Sequence, residues 1–375
     1  SMESDNKLFL LDAYALIYRA YYAFIKNPRI NSKGFNTSAI LGFVNTLEEV
    51  LKKEHPTHIG VAFDPAGPTF RHEAFEQYKA QREETPEAIR LSVPIIKEII
   101  RAYRIPILEV AGYEADDVIG TLATEAGRQG IITYMMTPDK DYGQLVSDKV
   151  FMYRPKHTGG FEVMGVDEVK AKFDIQSPAQ VIDMLGLMGD SSDNIPGCPG
   201  VGEKTAQKLI AEFGSIENLL EHTDQLKGAL KTKVETNREM ITFSKFLATI
   251  KIDVPIQLDM DSLVREQADE DSLRQIFEEL EFRTLIDRVL KKENAGNGIT
   301  TPTGNKTAAE KSNLAPLPLF PEEGGAVQGD LFANFTGNEP GEAKNSNLAT
   351  LETLNCDYQL IDTEEKRTKI IQKLL

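Results

Sequence analysis

Nine carboxylates of this 375-residue chain fall where they could do chemistry together: Asp12, Asp64, Glu114, Asp116, Asp117, Asp139, Asp141, Asp190 and Asp193. Three follow short apolar runs. Phe9-Leu10-Leu11 leads to Asp12, Val61-Ala62-Phe63 to Asp64, and Met135-Met136-Thr137-Pro138 to Asp139, with Asp141 two residues on. Parallel strands end on one side of a sheet, and open α/β sheets take their ligands beyond those carboxyl ends. The acids can therefore converge. Glu114-Ala115-Asp116-Asp117 opens a helical pattern after another apolar run. Asp190 and Asp193 are three apart, a spacing that puts both on one side of a helix end. So many carboxylates in one crevice repel one another unless something compensates them. Mg²⁺ and Mn²⁺ are the natural compensation, because hard divalent cations take oxygen ligands. Two such ions, roughly 3.5–4 Å apart, clamp a phosphodiester, activate a water and stabilise the leaving oxygen. A single strand-terminal Asp is usually only a turn or cap residue; repetition at one end of the sheet favours the metal reading. Asp117 is the least well placed of the set, since it and its neighbour Asp116 diverge on a helix.

Two further segments suit a phosphate backbone. Residues 70–82 carry Arg71, Lys79 and Arg82 with aromatics between them. Basic groups beside a metal site orient phosphate, and Tyr78 is placed to stack on a base. On one helix, Arg71, Tyr78 and Arg82 would share a face; a solvated amphipathic helix is the plainer alternative. Pro86 marks a break, so two short helices or an arch are expected. The second segment runs from Asn194 through Gly197, Gly200, Val201, Gly202, Lys204, Thr205 and Lys208. It nearly imitates a nucleotide-binding P-loop, but Glu203 separates Gly202 from Lys204 and the register fails. A tight Gly/Pro hairpin between helices fits better. There, glycines let backbone N–H groups approach phosphate, a helix N-terminus faces the same strand, and Lys204 and Lys208 add charge without reading bases. An ordinary helix–turn–helix connection is the alternative.

The elements that must position these groups follow from the apolar pattern. Strands are expected at 7–11, 57–63, 105–110, 131–136 and 150–153, with helices between, as at 37–53 and 115–128. That alternation predicts an α/β fold with a mainly parallel central sheet flanked by helices. After residue 155 the pattern is mostly helical. Residues 294–349 hold eight Gly, five Pro and eight Asn, a composition that cannot bury enough apolar surface to order itself. The expected organisation is therefore a catalytic core over 3–175, a helical unit over 176–292, a flexible linker over 293–350, and at 351–375 the opening strand and helix of another domain. No apolar run reaches the ~20 residues of a membrane helix, and no secretory leader opens the chain. The two cysteines, Cys198 and Cys356, exclude a disulfide scaffold and a Cys-based zinc site. Lys and Arg number 42 against 58 Asp and Glu, a net charge of −16, which by itself argues against nucleic acid. A cation-loaded carboxylate site reverses that argument locally.

Taken together, Phe63-Asp64 with Gly67-Pro68-Thr69-Phe70-Arg71-His72, Gly112-Tyr113-Glu114-Ala115-Asp116-Asp117, Asp139-Lys140-Asp141, and Gly189-Asp190 through Asp193-Asn194-Ile195-Pro196-Gly197 resemble the 5′-nuclease family. This is the family of the flap endonucleases and of the N-terminal domains of bacterial DNA polymerase I. The resemblance covers residues 7 to about 290. It implies a PIN-like core with a helical arch and a helix-hairpin-helix-type DNA-binding unit. It implies a phosphodiesterase with two or three Mg²⁺ (or Mn²⁺) ions. Its substrates would be branched or nicked duplex DNA with a 5′ flap, and RNA primer ends. Hydrolysis would be in line, leaving a 3′-hydroxyl and a 5′-phosphate. It implies that Lys79 and Arg82 act on the scissile phosphate from the arch, and that the 197–202 hairpin grips duplex, often with K⁺. A monomer in the bacterial cytoplasm, at the nucleoid, and a following 3′-exonuclease-like domain are also implied. Pro138 stands where the family usually has Gly, and Asp12-Ala13-Tyr14 lacks the usual small or hydroxyl residues; neither change removes a carboxylate. A PIN-like ribonuclease would lack the glycine hairpin, and a DNA-structure-binding module with a degenerate site would lack acids. An aspartyl-nucleophile phosphatase would want Asp-x-Asp where Asp12-Ala13-Tyr14 stands. Outside the resemblance, Gln328-Gly329-Asp330-Leu331-Phe332 is similar to sliding-clamp docking peptides, with Gln328, Leu331 and Phe332 as the contact residues.

Overall fold

The structure, a computed structural model, describes residues 5–290 apart from Gln81, Glu83 and His157. The expected linker, the start of a further domain and the Gln328, Leu331, Phe332 motif lie outside the described residues. Strands β1 (Lys7–Asp12), β2 (His58–Ala62), β3 (Ile107–Leu108), β4 (Ile132–Met136), β5 (Val150–Pro155) and β6 (Phe161–Met164) form one sheet in the order β3-β2-β1-β4-β5-β6. All pairings are parallel except β5 with β6. β1 is central and fully covered, which explains its unbroken apolar run. Leu8 and Leu10 join the core on one face, Phe9 and Leu11 that on the other, as a period of two requires.

Helices α1 (Ala13–Ala23), α2 (Ser38–Lys53) and α4 (Glu87–Ala102) cover the Phe9 face; α5 (Ala115–Arg128) covers the Leu8 face. Gly42 lets α1 and α2 touch, because a Cβ there would lie 2.5 Å from the Ala20 Cβ. Helices α6 (Val166–Phe173), α7 (Val181–Met188), α8 (Glu203–Phe213), α9 (Ile216–Glu221), α10 (Gly228–Thr236) and α11 (Arg238–Ala248) continue the Leu8-face core.

Three expectations need correction. β6 interrupts the stretch after 155 that read as helical. It is a half-exposed edge strand that folds back through Gly159 and Gly160, and one buried residue in four leaves little apolar signal. Of the two short helices or arch expected here, one short helix forms among the described residues: α3 (Phe70–Ala74) ends where Phe75 turns extended, with φ −147°, and the next helix, α4, starts only at Glu87. Third, α12 (Met260–Leu263), α13 (Glu270–Glu279) and α14 (Arg283–Leu290) do not extend the helical unit. They return to the catalytic sheet: Leu273, Phe277 and Leu285 enter the Phe9-face core, and the Asp269 N–H donates to the Ala102 carbonyl at 2.7 Å.

Candidate metal centre

The acids converge at the carboxyl edge of the sheet. Asp12 ends β1 and caps α1, accepting from the Ala15 N–H at 3.4 Å. Its other oxygen accepts from the Tyr142 hydroxyl at 2.9 Å. Asp64 stands two residues beyond β2 and accepts from the Ala115 N–H at 2.7 Å, which fixes it against the start of α5. Asp139 leads a 3₁₀ turn (Lys140–Leu145) and accepts from the Asp141 N–H at 2.9 Å.

Two groups of three present ligand oxygens within 4.8 Å of one another: Glu114, Asp116 and Asp117, and Asp141, Asp190 and Asp193. Asp190 and Asp193 do not sit on a helix end as their spacing predicts. A turn brings them together, closed by a bridge between Asp190 and Ile195. Gly197 and Gly189 make this turn possible. Both have positive φ, and a Cβ on Gly197 would lie 2.3 Å from the Gly189 nitrogen.

Each group holds one buried carboxylate oxygen with no hydrogen-bond partner, Oδ1 of Asp116 and Oδ1 of Asp141. Burial and the neighbouring acids Asp117 and Glu114 push the Asp116 carboxyl well above its ordinary range. Burial, Asp139 and Asp190 do the same to Asp141. Asp12 rises to about 7, through burial and Asp64, and Asp139 to about 6, through burial and Asp193. Buried, mutually repelling carboxylates with orphaned oxygens are what a hard divalent cation satisfies. The donor set fits such ions.

The basic residues divide. Lys79 pairs with Glu114 and lies 3.9 Å from Asp193; Arg82 meets Asp193 at 2.6 Å. Burial alone would raise Glu114, but Lys79 and Arg71 overcome it and hold the carboxyl at about 2. Lys79 takes a left-handed backbone, φ +57°, a conformation costly for a residue with a Cβ and often kept at functional sites. The opposite turn holds it there: the Lys79 N–H donates to the Asp193 carbonyl at 2.9 Å, and Asn194 Nδ2 to the Gln77 carbonyl at 2.6 Å.

Arg71 and Tyr78 are elsewhere than expected. Arg71 is 1% exposed and bidentate on Asp117, at 2.8 and 2.9 Å, and it also meets Glu114. Its remaining N–H groups reach the Leu247 and Thr249 carbonyls at 2.9 and 2.6 Å. It is saturated by protein and does not face a phosphate. Tyr78 is 3% exposed, with its hydroxyl 3.2 Å from both Glu114 oxygens, so it stacks on no base. Asp117 accepts from Arg71 twice and from the Glu114 and Lys251 N–H groups at 3.1 and 2.8 Å. Four protein donors thus meet its two oxygens, and one of them, the Glu114 N–H, ties it to the start of α5.

The glycine hairpin joins α7 to α8 as expected, but its residues also divide. Gly197 and Val201 are buried, so both pack inward. Gly200, Gly202 and Lys204 are exposed, with Lys208 one turn on and Thr205 half-buried beside them. Gly202 has ordinary extended backbone at φ −93° and caps α8. Lys233 of α10 lies over Gly200, its Nζ 2.8 Å from where a Cβ would be. Sequence reasoning passed over Lys233 because α10 is nearly polar all round and carries no motif; Lys231 and Lys233 beside Gly228 were the available signal. Tyr142 was missed as well, being one apolar letter beside Asp141.

The descriptions "5′-3′ exonuclease, N-terminal resolvase-like domain" and "5′-3′ exonuclease, C-terminal SAM fold" match residues 7–174 and 176–271. DNA polymerase I of Bacillus subtilis is 43% identical over 291 residues, 77% of this chain and 33% of that protein. DNA polymerase I of Bacillus caldotenax is 42% identical over 287 residues, 76% of this chain and 32% of that one. The chain thus spans about a third of the length of these curated relatives. A zinc-bound T5 5′-exonuclease superposes with TM-score 0.56 at 21% identity, covering 73% of this chain and 99% of its own. The catalytic core of Rad2 in complex with DNA substrate superposes with TM-score 0.51 at 18% identity, covering 74% and 88%. At those identities the superpositions speak for the fold. With two matching domains in order and relatives above 40% identity, the chain belongs to the 5′-3′ exonuclease family.

Proposed function

We propose that this chain is the 5′-nuclease portion of a DNA polymerase I, hydrolysing phosphodiesters near 5′ ends of branched or nicked DNA, flaps and RNA primers included. The observation that carries the reading is the pair of acid groups, each with an orphaned buried oxygen, under Lys79 and Arg82. Glu114 and Asp116 would hold one divalent cation and Asp141, Asp190 and Asp193 another, with Asp12, Asp64 and Asp139 between them; Mg²⁺ or Mn²⁺ suits such oxygens. When bound, these ions supply Lewis acidity toward a phosphate and its attacking water. The chain's own part is orientation and charge. Lys79 and Arg82 now neutralise Glu114 and Asp193. Once those carboxylates have cations, both side chains are left to meet the scissile phosphate's oxygens as negative charge develops there. Gly200, Gly202, Lys204, Thr205, Lys208 and Lys233 form an exposed, base-indifferent grip for the duplex. A K⁺ ion at this hairpin, a monomeric enzyme and clamp docking through Gln328, Leu331 and Phe332 belong to the same reading.

The test uses a double-flap DNA labelled at its 5′ end, incubated with Mg²⁺, with EDTA, and with Mg²⁺ plus Asp139→Asn. Cleavage at the branch only in the first tube is expected. Tight binding without cleavage in all three would make the protein a structure-binding module and sink the catalytic assignment.

A further inference from the structure

Across β2, β1, β4 and β5 the groups at the carboxyl edge run Asp64, Asp12, Asp139 and then a change of sign, Arg154. Tyr153 is in register with Met136, and its carbonyl accepts from the Thr137 N–H at 3.3 Å. Arg154 therefore stands about one strand spacing, ~4.8 Å, from the segment leading to Asp139. It is 9% exposed, and among the described residues no carboxylate forms an ion pair with it; Glu162, its partner across β5–β6, is not within bonding distance. Other cations gather around it. Arg19 of α1 is 6% exposed and donates to the Lys156 carbonyl at 3.0 Å, two residues past Arg154. Lys140 follows Asp139 and is 9% exposed. Lys172 of α6 lies near enough that, after burial, Arg154 and Lys140 lower its proton affinity. Burial and Arg154 lower that of Arg19 to about 10. Arg154 is thus a buried cation with cations for neighbours and no carboxylate in contact among the described residues, Glu162 and Asp139 acting on it only through space. That arrangement is unfavourable by itself, and a bound anion would relieve it.

We infer that Arg154, with Arg19, Lys140 and Lys172, forms a phosphate-binding subsite beside the metal centre, on the side away from β2, which takes a phosphate of the nucleic-acid strand adjoining the scissile one. This rests on the nuclease reading above. The occupant is a phosphate oxyanion, either a backbone diester or the 5′-terminal monophosphate, and Arg154 is suited to bidentate contact with it.

The experiment titrates double-flap DNA against the full chain in Ca²⁺ over a salt series, then measures cleavage in Mg²⁺. Wild type is compared with Arg154→Gln, Arg154→Lys and Lys172→Gln. One lost phosphate contact lowers the slope of log K against log salt by about 0.9 on duplex, or about 0.7 on single strand. That decrease is expected for Arg154→Gln, with kcat/KM down about tenfold and partial recovery in Arg154→Lys. Lys172→Gln, at an exposed position, is expected to lower the slope too and keeps the test decisive should the Arg154 variant not fold. A neutral methylphosphonate at one linkage should weaken wild type and leave Arg154→Gln unaffected, which marks a diester; the same pattern with a 5′-hydroxyl flap marks the terminal monophosphate. Slopes and probe responses equal in wild type and in whichever variants fold would overturn the subsite. Wild type that binds flap DNA without cutting it overturns the nuclease reading, while the slope comparison still decides the subsite. Wild type that binds no DNA overturns both.

Discussion

Replacing Arg71 by methionine separates two roles for this residue, a structural tie and a phosphate contact. Methionine keeps most of the aliphatic stem and removes the guanidinium. Among the described residues, the change leaves Asp117 (0% exposed) with no counter-charge in contact, and Glu114 (5% exposed) with Lys79 alone. Breaking a buried pair by deleting one partner typically costs about 3–5 kcal/mol. The Leu247 and Thr249 carbonyls lose donors as well, and a buried acceptor left unsatisfied adds about 1–3 kcal/mol. These terms overlap, so a loss of about 4 kcal/mol or slightly more is expected in urea unfolding in EDTA. Arg71→Met with Asp117→Leu should recover much of that loss, because an apolar replacement of both partners is often close to neutral. Should Arg71→Met unfold within about 1 kcal/mol of wild type while cleavage falls a hundredfold, the residue acts on phosphate and the structural reasoning is wrong.

Other outcomes follow from the same site. Asp12 and Asp139 have folded-state values of about 7 and about 6, above the 3.8 of an unfolded Asp, so between pH 4 and 7 the folded protein binds more protons than the unfolded one. Metal-free stability should accordingly fall as pH rises through that window, and Mg²⁺ should flatten the dependence; a Tm in EDTA that climbs from pH 4.5 to 7 would contradict the raised values. Lys79→Ala and Arg82→Ala should each slow cleavage by about 10²–10³ while leaving the Mg²⁺-induced rise in Tm in place; loss of that rise would mean that they organise the acids instead. Gly197→Ala forces a side chain into the Gly189 backbone and should lower Tm and abolish cleavage together, whereas Gly202→Ala, with open space around it, should leave Tm unchanged. Calorimetry of both glycine variants checks this pair.

What could be read in advance was whatever one period controls. The strand ends and α5 were legible because apolar runs and acids alternate there with little interference, and parallel strands bring their ends to one edge whatever the loops do. Asp190 and Asp193 were placed together for a wrong reason, since spacing cannot distinguish a helix end from a turn closed by a glycine pair. Arg71 was misjudged because charge in sequence says nothing of burial. A guanidinium beside aromatics looks like a nucleic-acid contact until Leu247, Thr249 and Asp117, 46 to 178 residues away in the chain, are seen around it. The return of α13 and α14 to the sheet was hidden for the same reason: an amphipathic helix declares that it has an apolar face, not which core receives it.

The net charge of −16 loses its force as an argument against nucleic acid once its distribution is known. Nine acids are concentrated at one sheet edge, where Arg71, Lys79 and Arg82 already offset part of their charge. Divalent cations would offset most of the rest. Around that edge the sign reverses, with Arg154, Arg19 and Lys140 on the β5 side and Lys204, Lys208 and Lys233 about the glycine hairpin. A polyanion approaching this edge would meet cations first and carboxylates only through their ions. The local excess of carboxylates, rather than the charge of the whole chain, is then what bears on a phosphate: it would hold hard cations next to a group that carries the same charge as the protein.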